Sequence, residues 1–102
     1  MDYISVDKNS IPYSMDMRID GTTFTFAFNY NAEGDFFTVD LERNGQVLVR
    51  GEKVVYGNPL FLSYLTEDFP ARPIIPVDFS GTEERVGWRE LGENVFLAVP
   101  EV

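Results

Sequence analysis

Between Ser14 and Arg43, apolar and polar side chains alternate almost residue by residue, and this period of two most constrains what the chain can fold into. Met15, Met17 and Ile19 alternate with Asp16, Arg18 and Asp20. Phe24, Phe26, Phe28 and Tyr30 alternate with Thr23, Thr25, Ala27 and Asn29, and Phe37, Val39 and Leu41 with Thr38, Asp40 and Glu42. Successive side chains of a strand point to opposite faces, so each run has an apolar side and a polar side. The rings from Phe24 to Tyr30 therefore share one face. We read them as core, since a sugar-binding platform exposes Trp or Tyr rather than a run of Phe. No stretch of about 11 residues or longer carries a helical period.

Turn chemistry cuts these runs into hairpins. Asp20-Gly21 and Asn44-Gly45 are type I′ signals, because that turn needs positive φ at both central residues. Ser14–Asp20 with Thr22–Tyr30, and Phe36–Arg43 with Gln46–Val55, thus read as two hairpins joined by a turn at Asn31 to Gly34: a four-stranded meander. Gly51 marks a bulge or bend in the last of these strands. Phe36 and Phe37 are adjacent and must face opposite ways, one toward the core and one toward a second sheet or a partner.

The second half is less regular. Gly57-Asn58-Pro59 breaks the chain. Leu60 to Leu65 reads as a short strand in preference to a buried helical turn, and Thr66 to Pro73 as a loop. Ile74 to Phe79 reads as an edge strand, since Pro76 lacks a ladder donor. Thr82 to Leu91 is polar and irregular, with room for one helical turn carrying Trp88. Val95, Leu97 and Val99 mark a closing strand. The pattern predicts a single all-β domain over residues 1–102, a small antiparallel sandwich or partly open barrel of about seven short strands.

Composition narrows the chemistry. The chain has no His and no Cys, which excludes Ser-His-Asp and Cys-His arrangements, disulfides and the usual tetrahedral zinc sites. No phosphate-binding or dinucleotide glycine motif is present. With 17 acidic against 8 basic residues the net charge is −9, so nucleic acid and anionic membranes are not expected partners. No apolar run approaches the roughly 20 residues that span a bilayer, and Met1 to Ser10 does not read as a secretory signal.

Carboxylate chemistry needs only two acids at a set separation, and Asp35, Asp40, Glu83 and Glu84 are the candidates. Asp40 alternates as a solvent-facing strand residue should, and Glu83-Glu84 sits in an irregular acidic stretch. Asn31, Glu33 and Asp35 have the alternating oxygens of a calcium loop, a pattern that turn chemistry also produces. We therefore expect no catalytic residue, no metal and no cofactor.

The candidate contact residues are aromatic or lie beside a chain-bending loop: Phe36, Tyr56, Asn58, Pro59, Leu60, Phe61 and Trp88. Fully burying a ring or a Leu is worth roughly 1.5–3 kcal/mol, and a core already filled by the meander leaves some of that surface for a partner. The same loop, Tyr56 to Phe61, reads equally well as a cap folded back on the core.

Two segments carry a family resemblance: DFFTVDLERNGQVLVRGEKVVYGNPLF, from Asp35 to Phe61, and IIPVDFSGTEERVGWRELGENVFL, from Ile74 to Leu97. With Ile11-Pro12-Tyr13 and the Phe-rich strand, they make the chain resemble the phage baseplate plug family, small proteins of contractile-tailed phages and related prophages. The resemblance implies a structural virion protein rather than an enzyme, assembled in the host cytoplasm. It would pack against hub, spike and tail-tube proteins at the distal end of the tail tube. A homo-oligomer is compatible with the rotational symmetry of tail tips. The alternative reading is a small carbohydrate- or ligand-binding β-module without catalysis.

Overall fold

In the computed structural model, which describes residues 2–61, 69–70 and 72–100, both Xaa-Gly turns form as the sequence predicts. Asp20 and Gly21 adopt φ of 49° and 84°, and Asn44 and Gly45 adopt 54° and 77°. They join β2 (Tyr13–Ile19) to β3 (Thr22–Asn31) and β4 (Phe36–Arg43) to β5 (Gln46–Lys53). The resulting antiparallel sheet has the order β2-β3-β4-β5. Its register sets Met15 opposite Phe26, Phe26 opposite Leu41, and Phe28 opposite Val39.

Gly51 is where β5 bends. Val39 faces Glu52 and Leu41 faces Val49, so Arg50 and Gly51 together stand opposite Asp40. Gly51 has φ of 73°, a conformation that costs a residue with a side chain. Its N–H donates to Asp40 Oδ1 at 2.7 Å. The strand ends at Lys53, short of Val55, although Val54 N–H still donates to the Phe37 carbonyl at 2.9 Å.

A second antiparallel sheet, ordered β1-β7-β6, contains β1 (Asp2–Ile4), β6 (Ile75–Asp78) and β7 (Val95–Val99). The expectation for Pro76 holds, because β6 is an edge strand. Its outer side is covered by the preceding loop: Gly57 N–H donates to the Pro76 carbonyl and Leu60 N–H to the Ile74 carbonyl, both at 2.8 Å. The sheet also has a strand the sequence did not reveal. Three N-terminal residues, β1, pair with β7 at the far end of the chain, setting Tyr3 opposite Ala98.

The protein is thus all-β, with two antiparallel sheets of three and four strands not closed into a barrel. Among the described residues the helical content is one 3-10 turn, Lys8–Ser10. The inner faces of both sheets feed one apolar cluster. Phe24, Phe26, Phe28, Phe37, Val39 and Leu41 enter from the larger sheet, and Ile4, Val95, Leu97 and Val99 from the smaller. Phe26 and Phe37 are completely buried, so the Phe-rich face is core. Leu60 and Phe61 form a turn, while the rest of the strand expected at Leu60–Leu65 lies outside the described residues, as does most of the loop expected over Thr66–Pro73. Between Gly87 and Leu91 the chain makes a hydrogen-bonded turn, not the helical turn for which the sequence left room, with Leu91 N–H donating to the Gly87 carbonyl at 3.1 Å.

Candidate functional site

Tyr30 ends the ring-bearing face of β3 and anchors an aromatic cluster with Phe37 and Trp88. Its ring lies 4.9 Å from both Phe37 and Trp88, and Trp88 stacks on Phe37 at 6.0 Å with an interplanar angle of 15°. The Lys8 ammonium sits 5.5 Å from the Trp88 ring centre and donates to the Trp88 carbonyl. Aromatic pairs of this kind stabilise beyond their buried area.

Asp35 locks the cluster. The turn after β3 places it in the left-handed region, with φ of 53°. Asp35 Oδ1 accepts from the Tyr30 hydroxyl at 2.6 Å and from Trp88 N–H at 2.8 Å. Oδ2 accepts from Arg85 at 2.5 Å, and Arg85 also pairs with Glu90 at 3.2 Å. The Tyr30 hydrogen bond, followed by the Trp88 N–H, holds the Asp35 carboxyl below its ordinary value. The same bond pushes the Tyr30 phenol up. Gly87 passes so close that a Cβ there would overlap the Asp35 carboxylate.

Beside this clamp runs an open groove of about 300 Å³, bounded by Asp35, Phe36, Lys53, Tyr56, Arg85 and Gly87. The Lys53 ammonium lies 4.6 Å from the Phe36 ring centre. Of the residues singled out in the sequence, Phe36 and Tyr56 line the groove, and Trp88 stands behind it in the clamp. Asn58 is exposed and Pro59 half-buried on the loop that covers β6. Leu60 and Phe61 turn inward. Phe61 is 4% exposed, its ring is 6.4 Å from Phe26, and its N–H donates to Glu52 Oε2 at 2.8 Å. Those two side chains therefore cap the core, the second of the two roles open for this loop, while the groove gathers only Phe36 and Tyr56.

Two of the candidate carboxylates, Asp35 and Asp40, do structural work. Asp40 holds the β5 bulge, and Asn31 Oδ1 accepts from Gly34 N–H at 2.9 Å. No group of three or more acidic, His or Cys side chains among the described residues is placed to hold a metal ion. Sequence reasoning missed Asp78, which is buried at the end of β6. It accepts from the Ser80 hydroxyl and N–H at 2.6 and 2.8 Å, and from Thr82 and Glu83 N–H at 3.1 and 2.8 Å. These bonds, the Ser80 hydroxyl foremost, hold its carboxyl far below the usual range. The stretch Asp78-Phe79-Ser80-Gly81-Thr82 carried the signal, because Asp and Ser close such turns through their side chains. Both perturbed carboxyls are thus driven toward the ionised form, opposite to the raised value a general acid needs near neutrality. The geometry fastens segments together and leaves an open groove of mixed polar and apolar lining beside the clamp.

The model of a protein family described as cyanophage baseplate Pam3 plug gp18 matches residues 1–101. Comparison with curated proteins gave no match.

Proposed function

The chain belongs to the cyanophage baseplate plug family, and on that premise we propose that it is a non-catalytic plug subunit packed against hub and spike proteins at the distal end of the tail tube. The family match supports a structural role in the virion tail baseplate, and its span over residues 1–101 is the observation that carries the reading. The side-chain chemistry agrees: two sheets with polar networks that clamp loops, and paired carboxylates committed to hydrogen bonds inside the fold.

In this reading residues 1–102 act as one domain, made in the host cytoplasm and added to the particle there. The groove beside Asp35 is one contact surface, with Phe36 and Tyr56 meeting a neighbour there, and Asn58 and Pro59 on the adjoining loop and the exposed part of Trp88 extend it. Leu60 and Phe61 support that surface from below. A subunit of this kind works by shape and buried area, and tail-tip symmetry favours several copies per particle.

Quantitative mass spectrometry of purified contractile tails tests the proposal. The chain is expected in a fixed small-integer ratio to the hub protein, and carbodiimide cross-links are expected between it and hub or spike chains. Its absence from intact particles, or cross-links confined to the tail sheath, would overturn the reading.

A further inference from the structure

Strands β6 and β7 do not alternate. Ile74-Ile75-Pro76-Val77 and Val95-Phe96-Leu97-Ala98-Val99 are continuous apolar runs, the pattern of strands covered on both faces rather than wet on one. Val95, Leu97 and Val99 enter the core. Register places Tyr3, Ile75 and Ala98 in one row across the other face, and Val77 beside Phe96 in the next. Phe96 is the centre of an aromatic ridge there, 5.3 Å from Tyr3 and 6.5 Å from Phe79. Tyr3 is 52% and Phe79 61% exposed, two of the three large apolar or aromatic side chains left exposed among the described residues. A hollow of about 330 Å³ opens beside the ridge, bounded by Phe79, Ser80, Glu93, Asn94 and Phe96.

We propose that this outer face of the three-stranded sheet is a docking surface for a basic protein surface that presents an aliphatic or aromatic side chain flanked by Lys or Arg. The ridge supplies apolar area, and its rim is acidic. The Glu93 side chain is 65% exposed, and its cation neighbour Lys8, at 3.8 Å, is held by the Trp88 carbonyl. Glu83 follows on the loop tied to Asp78. A second copy of the chain is a poor occupant, since each copy carries 17 acidic against 8 basic residues and like charges repel across an interface. The proposal rests on the baseplate reading for where the partner is met, and it places a second contact surface away from the Asp35 groove.

Hydroxyl-radical footprinting of the purified chain and of intact particles tests it, with carbodiimide cross-linking in parallel. Oxidation of Tyr3, Phe79 and Phe96 is expected to fall about tenfold in particles, as water leaves the centre of an interface. Glu93 or Glu83 is expected to link to Lys of a different chain. Phe79→Asp is expected to leave the melting temperature unchanged and to abolish incorporation, whereas Thr23→Asp, on the polar face of the other sheet, is expected to incorporate normally. A chain present in particles with its ridge oxidised as in solution overturns this inference and leaves the baseplate reading standing. Cross-links only between copies, normal incorporation of Phe79→Asp, or protection of the ridge by soluble oligosaccharide instead of protein also overturn it. Absence of the chain from particles overturns both.

Discussion

The two sheets present the same kind of inner face and opposite kinds of outer face. On the four-stranded sheet, Ser14, Asp16, Arg18, Thr23 and Asn29 are exposed on the side away from the core, with Thr25 hydroxyl donating to Asp16 Oδ1 across the strands at 2.7 Å. On the three-stranded sheet the equivalent side carries Tyr3, Ile75, Val77 and Phe96. An isolated domain has no use for a second apolar face, since exposed aromatic area costs solubility and stabilises nothing. The outer face of β2 and β3 is polar and needs no cover, and the outer face of the smaller sheet is the one we propose a partner covers.

The strongest way to break this comparison is to show that the sheets do not share a core. Phe26→Ala and Leu97→Ala, one from each inner face, are expected to cost about 3–5 and about 2–5 kcal/mol in urea unfolding, the ranges for emptying a buried ring and a buried Leu. A near-neutral Leu97→Ala would mean that the smaller sheet stands apart from the cluster. Next in size, Gly87→Ala is expected to destabilise by about 1–3 kcal/mol, because the new methyl displaces the Asp35 carboxylate and overpacking has that cost. Trp88 fluorescence should shift with it, since Trp88 N–H is bonded to the same carboxylate.

The pH dependence separates the two loop clamps from the sheets. Asp35 and Asp78 have folded values below their unfolded ones. Their contribution is present in full above about pH 4 and is lost as pH falls through the folded values. Tyr30 has a raised folded value, so its contribution is present below about pH 10 and is lost as pH rises through that value. Asp78→Asn is expected to flatten the acid limb of the melting-temperature profile, and Tyr30→Phe the alkaline limb. An unchanged profile in both variants would mean that neither clamp bears on folding.

The smallest expected effect sharpens the contrast between the outer faces. Tyr3→Ser and Phe79→Ser, like Thr23→Ser on the polar face, are expected to change the stability of the purified chain by no more than about 0.5 kcal/mol, as for exposed positions generally. Only the first two should reduce binding of a hydrophobic fluorescent dye.

The legibility of this protein follows the range of its interactions. Asp20-Gly21, Asn44-Gly45 and the Phe24–Phe28 alternation act within a few residues, and each forms as its local chemistry dictates. Gly51 and Pro76 were readable for the same reason: a bulge and an edge are backbone events at a single residue. What the sequence hid is non-local. Three residues of β1 have no pattern of their own and become a strand by pairing with β7. Asp35 and Trp88 meet across 53 positions, and nothing in the turn at Asn31–Gly34 points to that partner. Phe61 read equally as a partner contact or as a cap on the core, and only the fold, with its φ of 62° and its buried ring, shows the second. The runs at Ile74–Val77 and Val95–Val99 were legible as strands, while their second apolar face became meaningful only once β1 supplied Tyr3 and showed which side was out.

Electron cryomicroscopy of the intact tail tip, at a resolution that shows side chains, tests the central claim most directly. The account predicts the chain in the baseplate with another protein's density over Tyr3, Phe79 and Phe96, and solvent over Thr23 and Asn29. A chain seated by its Thr- and Asn-bearing face with the aromatic ridge bare, or a baseplate that lacks the chain, would contradict it.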